Sequence, residues 1–344
     1  MFQLLKLSVF YTARFAGLFA LCRYLYRHKV RILCYHGFTL KDEHRFVPGL
    51  FIETAVFQQR MQYLKDKGYQ VLKLDDACAQ IENQAITADT VVLTIDDGFY
   101  SSLLVAAPIL KRFEFPATLY LTSYYFDETC PIFTLAVDYM FWTTTSQAVN
   151  FSKLAIPGLE DDKTTDIASG KGSRACELIK NFGQSLPSNE ERTRLMESLA
   201  RLLNFDYGHL EESRLLNLIN RDELAVMLQH GIDIQLHSHR HRFPLDSDKA
   251  GREITDNRAA VEPYLKQAMS HFCYPSGEWD KLHWPVLENH NVRTATTCES
   301  GLVDADTPRF AMNRILDSAR ISQIEFEAEV SGFNEFIRQV RRRA

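Results

Sequence analysis

Short apolar runs alternate with longer amphipathic stretches along most of the chain. In the first part, β-branched and aromatic residues cluster in four runs that predict strands: 31–36, 69–74, 91–95 and 117–123. The stretches between them have helical periodicity and predict helices over 51–68, 75–82 and 99–112. After residue 220 the alternation returns, predicting helices over 221–231, 250–267 and 280–290 and strands over 232–236, 271–275 and 292–297.

This β-then-α repetition predicts a parallel sheet, because parallel neighbours need a crossover that a helix usually supplies. The pattern is compatible with either a closed barrel or a doubly wound open sheet. In both folds, catalytic residues lie where strands end and loops begin.

The middle of the chain, about 124–219, breaks this rhythm. Aromatic residues cluster over 124–142, a polar run follows over 158–173, and helical patterns cover 174–185 and 188–204. We interpret this part as a partly helical insertion whose polar run is a mobile loop, forming a lid or a substrate wall. An ordinary helical addition to the fold accounts for the pattern equally well.

Residues 1–29 form an amphipathic segment ahead of the main domain, which we expect over 30–344. Lys6, Arg14 and Arg23 interrupt its apolar residues, so no 18-residue uncharged stretch exists to span a bilayer. The order of features expected of a secretory signal is also incomplete. The segment fits either a core-packing first helix or a peripheral helix on an anionic membrane, whose attraction the basic end, 338–344, would increase.

The composition indicates which partners and which cellular compartment the protein is suited to. The 344 residues are 46% hydrophobic and carry a net charge of −5, which is unfavourable for binding nucleic acid. The seven cysteines are scattered and never spaced Cys-x-x-Cys, which argues against a disulfide framework and favours a reducing compartment. We therefore expect a cytoplasmic protein, at the inner membrane face if residues 1–29 bind lipid.

Two motifs carry candidate chemistry. Asp96 and Asp97 follow a predicted strand, and at a strand end two adjacent carboxylates can reach one pocket, although Asp-Gly is also an ordinary turn. His237 and His241 follow another strand and are four residues apart. An extended chain would separate them by about 13 Å, so the strand must end near Leu236 and curl if both imidazoles bind one ion.

One aspartate and two histidines form an oxygen and nitrogen ligand set for a divalent cation. Three protein ligands leave positions open for water and substrate, as catalytic sites require. The cation would polarise a carbonyl and lower the pKa of water, and the second aspartate would take the proton. A surface histidine cluster without a metal is the alternative.

These motifs resemble those of the polysaccharide deacetylase (NodB-like) family of carbohydrate esterases. The resemblance is carried by TIDDG, HSHRH and YPSG, each after a predicted strand, over about 30–123 and 220–316. It implies a distorted (β/α) barrel of about seven strands. It also implies that Asp96 is the general base and that the metal ligands are Asp97, His237 and His241.

The same resemblance assigns the loop of Pro275, Ser276 and Gly277 to the substrate, with the backbone N–H of Ser276 donating to the oxyanion. Two departures from the family pattern change the picture. Cys273 occupies the place of an arginine that grips the base, and no late Leu-x-His motif supplies a general acid.

An early Tyr-His pair instead resembles the poly-N-acetylglucosamine deacetylase subgroup and makes His36 the candidate acid. A histidine that only packs at the strand end is the alternative. Arg314 is our candidate for the missing arginine that orients Asp96.

The predicted function is metal-dependent removal of an N-acyl group, most simply acetyl, from an amino sugar of a glycan or glycolipid. Zinc is the expected metal, and cobalt or nickel suits the same ligands. Two alternatives stay open: a deformylase acting on a lipid-linked amino sugar, and an inactive glycan-binding protein that kept the fold.

Overall fold

The computed structural model describes residues 2–146, 148–161, 165–166 and 173–343. Within these ranges the strands, in chain order, are β1 (Arg31–Tyr35), β2 (Gly37–Phe38), β3 (Phe51–Ile52), β4 (Gln70–Leu72), β5 (Thr90–Asp97), β6 (Ala117–Leu121), β7 (Ala148–Val149), β8 (Thr165–Asp166), β9 (Ile232–Leu236), β10 (His271–Cys273), β11 (Thr294–Ser300) and β12 (Met312–Leu316).

The helices, in chain order, are α1 (Phe2–Phe15), α2 (Leu18–Leu25), α3 (Glu43–Phe46), α4 (Thr54–Asp66), α5 (Leu74–Glu82), α6 (Ala107–Phe113), α7 (Tyr124–Glu128), α8 (Phe133–Thr143), α9 (Arg174–Ser185), α10 (Asn189–Leu203), α11 (Tyr207–Ser213), α12 (Arg221–Gln229), α13 (Ser247–Val261), α14 (Trp284–Asn289), α15 (Gln323–Val330) and α16 (Phe333–Arg343).

Seven parallel strands close into a barrel. Their order is β1-β12-β11-β10-β9-β6-β5, and β1 pairs again with β5 to complete the ring. β4 pairs with the first residues of β5, and β6 pairs with its last. The predicted (β/α) barrel of about seven strands is therefore confirmed, and the doubly wound alternative is wrong.

Several predicted boundaries need correction. The strand expected to stop at residue 95 continues through Asp97, because its last residues pair with β6. Residues 51–52 belong to a short strand beside β2 and not to the helix after it. The helix expected over 250–267 ends at Val261, where a 3₁₀ turn containing Pro263 follows. The helix expected over 280–290 begins only at Trp284, after another 3₁₀ turn.

Backbone contacts divide the chain into two compact units, residues 1–124 with 221–344, and residues 125–220. The first unit is the barrel. The second contains the helices expected over 174–185 and 188–204, which the structure confirms as α9 and α10. Most of the polar run 158–173 that we interpret as a mobile loop, namely 162–164 and 167–172, lies outside the described residues.

The N-terminal segment forms α1 and α2, separated at Gly17, whose φ of 77° only glycine adopts without strain. No single helix in the described chain has the length and apolar character needed to cross a membrane. Leu5–Phe15 and Leu18–Leu25 meet that criterion only as a pair, bent by 75°.

A buried ion pair lies beside β1 and β12. Arg60 Nε donates to Asp317 Oδ2 over 3.1 Å, and the Tyr35 hydroxyl donates to the same oxygen over 3.3 Å. Burial raises the pKa of Asp317 by more than the charge of Arg60 lowers it. The pair therefore does not fully offset the cost of burying its carboxylate.

Replacing Arg60 by alanine should lower the free energy of unfolding by about 3–5 kcal/mol, because Asp317 is left buried without its cation. The double variant Arg60→Met/Asp317→Leu should lose much less, since no isolated charge remains. Urea unfolding of both variants measures the difference. Equal losses in the two would show that packing, and not the unpaired charge, sets the cost.

Candidate active site

Asp96 and Asp97 are the last residues of β5 and lie at the carboxyl end of the barrel. Both are buried, with 1% and 8% of their surface exposed. Asp97 has a positive φ of 69°, and Gly98 follows at 95°, so the backbone turns sharply here. On a regular strand two adjacent side chains point in opposite directions. Because the backbone turns here, both aspartate side chains lie in the same region.

The two metal-ligand candidates after β9 are brought together by a tight turn. The strand ends at Leu236, as expected, and Ser238 and His241 adopt φ values of 63° and 52°. The Ser238 hydroxyl accepts from the Arg242 backbone N–H over 3.1 Å. The His237 and His241 rings consequently lie 4.9 Å apart. His239 points elsewhere, with its Nδ1 2.8 Å from the Ser123 hydroxyl.

His237 is held rigidly from two sides. Its Nδ1 lies 2.9 Å from the Cys273 carbonyl, which can only accept, so Nδ1 carries the proton and Nε2 faces Asp97. Its backbone N–H donates to the side chain of buried Asn257 over 3.2 Å. Asn257 in turn donates to the Leu121 carbonyl and the Ser123 hydroxyl. This network fixes the orientation of a candidate metal ligand.

Asp97, His237 and His241 fit a divalent cation. One ligand atom from each lies within 4.8 Å of the others. Asp97 Oδ1 lies 3.3 Å from His237 Nε2 and 3.2 Å from His241 Nε2, yet within the described chain this buried oxygen lacks a well-formed hydrogen bond. A carboxylate oxygen facing two imidazole nitrogens without satisfying them is the arrangement that a bound cation would complete.

The electrostatics of Asp97 agree with this arrangement. Burial alone would raise its pKa, but the two imidazoles outweigh burial and hold the pKa well below the usual range. Burial similarly opposes a charged His237, while Asp97 raises the pKa of that ring above its ordinary value. Protons and a cation would therefore compete for the same ligand atoms.

Asp96 is gripped by Arg314, which projects from β12. Arg314 Nη1 and Nη2 donate to Asp96 Oδ1 and Oδ2, each over 2.7 Å, and the guanidinium is fully buried. Burial favours a protonated Asp96, but the charge and hydrogen bonds of Arg314 outweigh it and hold its pKa below the usual range. The carboxylate beside the candidate metal ligands is thus kept ionised and oriented.

His36 follows β1 and reaches the same carboxylate from the other side. Its Nε2 lies 3.7 Å from Asp96 Oδ2, and 20% of its side chain is exposed. Burial lowers the pKa of His36 by more than the two aspartates raise it. His36 is therefore mainly neutral at pH 7 and within reach of a proton held by Asp96.

The predicted substrate loop forms a 3₁₀ turn over Pro275–Gly277 after β10. Pro275 is buried, while Ser276 is exposed and has a φ of 57°. Gly277 has a φ of 70°, and a Cβ there would lie 2.6 Å from the Cys298 Cβ. The loop conformation therefore depends on glycine at this position.

Other groups of potential ligands are less suited to a metal. Two of them include Asp96, whose oxygens already accept hydrogen bonds from Arg314: one adds Cys34 and His36, the other His237 and Cys273. A fourth group contains Asp138 and Glu177, which both contact the Lys180 ammonium.

Sequence reasoning missed Cys34 and Asn257 among the neighbours that complete the site, and it noted Cys273 only as a departure from the family pattern. The thiols of Cys34 and Cys273 lie 3.5 and 3.3 Å from Asp96 Oδ2, and burial raises both of their pKa values. They are therefore S–H groups that can donate to the base. Asn257, which holds His237, also gave no signal, because it lies on a helix among other polar residues.

A family model described as polysaccharide deacetylase matches residues 200–295. The chain is 28% identical over 305 residues to a putative polysaccharide deacetylase, YxkH, of Bacillus subtilis. That match covers 88% of this chain and 76% of YxkH.

Solved structures share the fold at low identity. A Streptococcus pyogenes deacetylase, PplD, solved in complex with acetate, superposes with a TM-score of 0.58 at 18% identity, covering 88% of this chain and 98% of PplD. IcaB from Ammonifex degensii superposes with a TM-score of 0.55 at 13% identity, covering 88% of this chain and 97% of IcaB. The architecture is thus that of the deacetylase (β/α) barrels. The chain is therefore similar to polysaccharide deacetylases, in sequence to the family model over residues 200–295 and to YxkH, and in fold to the solved structures.

Replacing Arg314 by methionine should lower the free energy of unfolding by about 3–5 kcal/mol at neutral pH, because Asp96 is left buried without its cation. It should also reverse the pH dependence due to Asp96. With Arg314, the depressed pKa gives stability that is present above the unfolded-state pKa of about 3.9 and is lost below it. Without Arg314, burial raises the pKa, so stability should increase as the pH falls from 8 to 5.

Urea unfolding at several pH values measures both effects. Arg309→Met, which removes an exposed ion pair with Glu288, is the matched control and should change stability by less than about 1 kcal/mol. Identical pH slopes for Arg314→Met and the unsubstituted protein would contradict the assigned role of Arg314.

Proposed function

We propose that the protein is a metal-dependent hydrolase that removes an N-acyl group, most simply acetyl, from an amino sugar of a glycan or lipid-linked saccharide. The observation that carries the proposal is the convergence of Asp97, His237 and His241 within 4.8 Å, beside an ionised Asp96 held by Arg314. The similarity to polysaccharide deacetylases supports the choice of an amino-sugar amide as the bond that is cleaved.

The proposed cofactor is a divalent cation, with zinc the best match to two imidazoles and one carboxylate. When bound, it would act as a Lewis acid on the amide carbonyl and lower the pKa of the attacking water. Asp97, His237 and His241 would hold it. His237 is already oriented by the Cys273 carbonyl, so little rearrangement would be needed.

Asp96 is the proposed general base. Its carboxylate would take the proton of the attacking water. The two hydrogen bonds from Arg314 would keep this carboxylate ionised and oriented. The low pKa of Asp96 makes the carboxylate a weak base in the free protein, so the water must itself be activated. The backbone N–H of Ser276 would donate to the oxyanion, a contribution worth about 10²–10³ in rate in other enzymes.

His36 is the proposed general acid. Because the ring is neutral at pH 7, it must first gain a proton, and Asp96 Oδ2 is 3.7 Å away. A proton taken from water by Asp96 can pass to His36 and then to the departing amine. The proton that water loses is thereby the one that the departing amine gains.

Free cysteines support a reducing compartment as part of this proposal. None of the seven cysteines, which all lie within the described residues, forms a disulfide, and five of them are buried. We therefore propose a cytoplasmic protein, with peripheral contact to the inner membrane face through residues 1–29.

Purified protein should release acetate from N-acetylated amino-sugar oligosaccharides or lipid-linked sugars, and chelator should abolish the release until zinc is restored. His241→Ala should bind zinc at least tenfold more weakly and lose activity. His209→Ala is the matched control, because that histidine is exposed on α11 and is outside the proposed ligand set. Quantifying acetate, formate and bound zinc distinguishes a deacetylase from a deformylase and from an inactive glycan-binding protein.

Release of formate in place of acetate would identify a deformylase. Activity that persists without metal would contradict the metal-dependent mechanism. Zinc binding without release from any amino-sugar substrate would favour a glycan-binding protein.

His36→Gln should lower kcat by about 10²–10⁴ with little change in KM, because only the protonation of the leaving group is lost. Zinc binding should be unchanged, since His36 is outside the proposed ligand set. Steady-state kinetics on the substrate found above measures the effect. Near-normal kcat would show that His36 only packs at the strand end.

A further inference from the structure

The helices at the two chain ends expose an unusual number of large apolar side chains. We call this surface the terminal-helix face and define it by its exposed residues: Leu5, Val9, Phe15, Leu18, Leu21, Leu25, Phe336 and Val340. Phe15 is 96% exposed. Isolated exposed apolar residues are common on protein surfaces, but contiguous groups of them are not. Here they lie on α1, α2 and α16, which pack against one another.

The exposed apolar residues do not lie on the sides of the helices that pack against the rest of the protein. The inner sides of α1 and α2 are already buried: Phe10 and Phe19 contact the Phe333 ring, with ring centroids 6.0 and 5.2 Å apart. A surface helix normally has polar residues opposite its buried side. α1 and α2 have apolar residues on both sides, so the outer side is available for a second apolar environment.

Ion pairs hold these helices on the barrel. Lys6 bonds Glu325 over 2.7 Å, Arg14 bonds Glu327 over 3.0 Å, and Arg23 bonds Asp89 over 2.6 Å. The Tyr26 hydroxyl lies 3.0 Å from Gln339 Oε1 and links α2 to α16. Extracting α1 and α2 to cross a bilayer would break these bonds and expose the buried rings.

The segments that form the face are rich in basic residues, although the whole chain has a net charge of −5 and four of the five cations of residues 1–29 pair with acidic residues of neighbouring elements. Residues 1–41 contain no aspartate or glutamate, and residues 1–29 contain five lysines and arginines. α16 ends in three consecutive arginines, 341–343. The side chains of Lys6 and Arg14 stay about half exposed despite their ion pairs. Cations beside exposed apolar residues match an anionic lipid surface.

We infer that the terminal-helix face docks on an anionic bilayer, with α1 and α2 lying in the plane of the interface and α16 beside them. Leucine and phenylalanine side chains enter the headgroup region, and described basic side chains such as those of Lys6 and Arg14 contact lipid phosphates. This contact rests on the peripheral membrane contact proposed above for residues 1–29 and adds α16 to it. It is independent of the proposed hydrolysis, because its test measures no activity.

The test measures sedimentation of the full chain with vesicles at low salt. The vesicles contain phosphatidylcholine, with or without 30% phosphatidylglycerol. Binding should be at least tenfold tighter to the anionic vesicles and should weaken at 0.5 M salt. Phe15→Ser/Leu21→Ser and Phe336→Ser/Val340→Ser should each reduce the partition coefficient at least tenfold. Leu245→Ser/Leu282→Ser, which changes two residues of 60% and 68% exposure outside the face, should leave it unchanged.

Circular dichroism and thermal unfolding of all three double variants confirm that they fold. Equal binding to neutral and anionic vesicles, or equal weakening by the control variant, would overturn the inference. Protein that resists extraction from membranes by alkaline carbonate would show a spanning segment instead. Light scattering that reveals a dimer broken by Phe15→Ser/Leu21→Ser, with no vesicle binding, would show that a second copy covers the face.

Discussion

Two adjacent carboxylates can share one buried pocket only if each has its own electrostatic partner. Asp96 and Asp97 are both nearly inaccessible to water, and burial favours the protonated form of each. Arg314 neutralises Asp96 with two hydrogen bonds, while two imidazoles face Asp97. The separate partners give neighbouring and chemically identical side chains different surroundings: Asp96 is satisfied and oriented, and Asp97 faces two imidazoles as a candidate metal ligand.

Barrel closure is what supplies these partners. Asp96 and Arg314 are 218 positions apart, and they meet because β1 pairs with both β5 and β12. The carbonyl that orients His237 comes from β10, the strand next to β9. The candidate site therefore depends on the whole ring of strands, and a change that opens the barrel would scatter its groups.

The sequence predicted most of the barrel because parallel strands and their crossover helices have distinct periodicities. It also located the aspartate pair and the histidine pair, since these residues stand directly at strand ends. Their exact arrangement was beyond reach: positive φ at Asp97, Ser238 and His241 is imposed by tertiary contacts and not by residue type. The Cys34 thiol beside Asp96 could not be foreseen, because only folding brings the end of β1 to this carboxylate, whereas the place of Cys273 was implied by the family resemblance alone.

X-ray absorption at the zinc edge, on protein loaded with one equivalent of zinc, identifies the side chains that bind the metal. We expect two imidazole nitrogens at about 2.0–2.1 Å with the remaining ligands oxygen, as Asp97, His237 and His241 would provide. A sulfur ligand at about 2.3 Å would contradict this expectation, because the zinc would then bind the thiols of Cys34 or Cys273 beside Asp96.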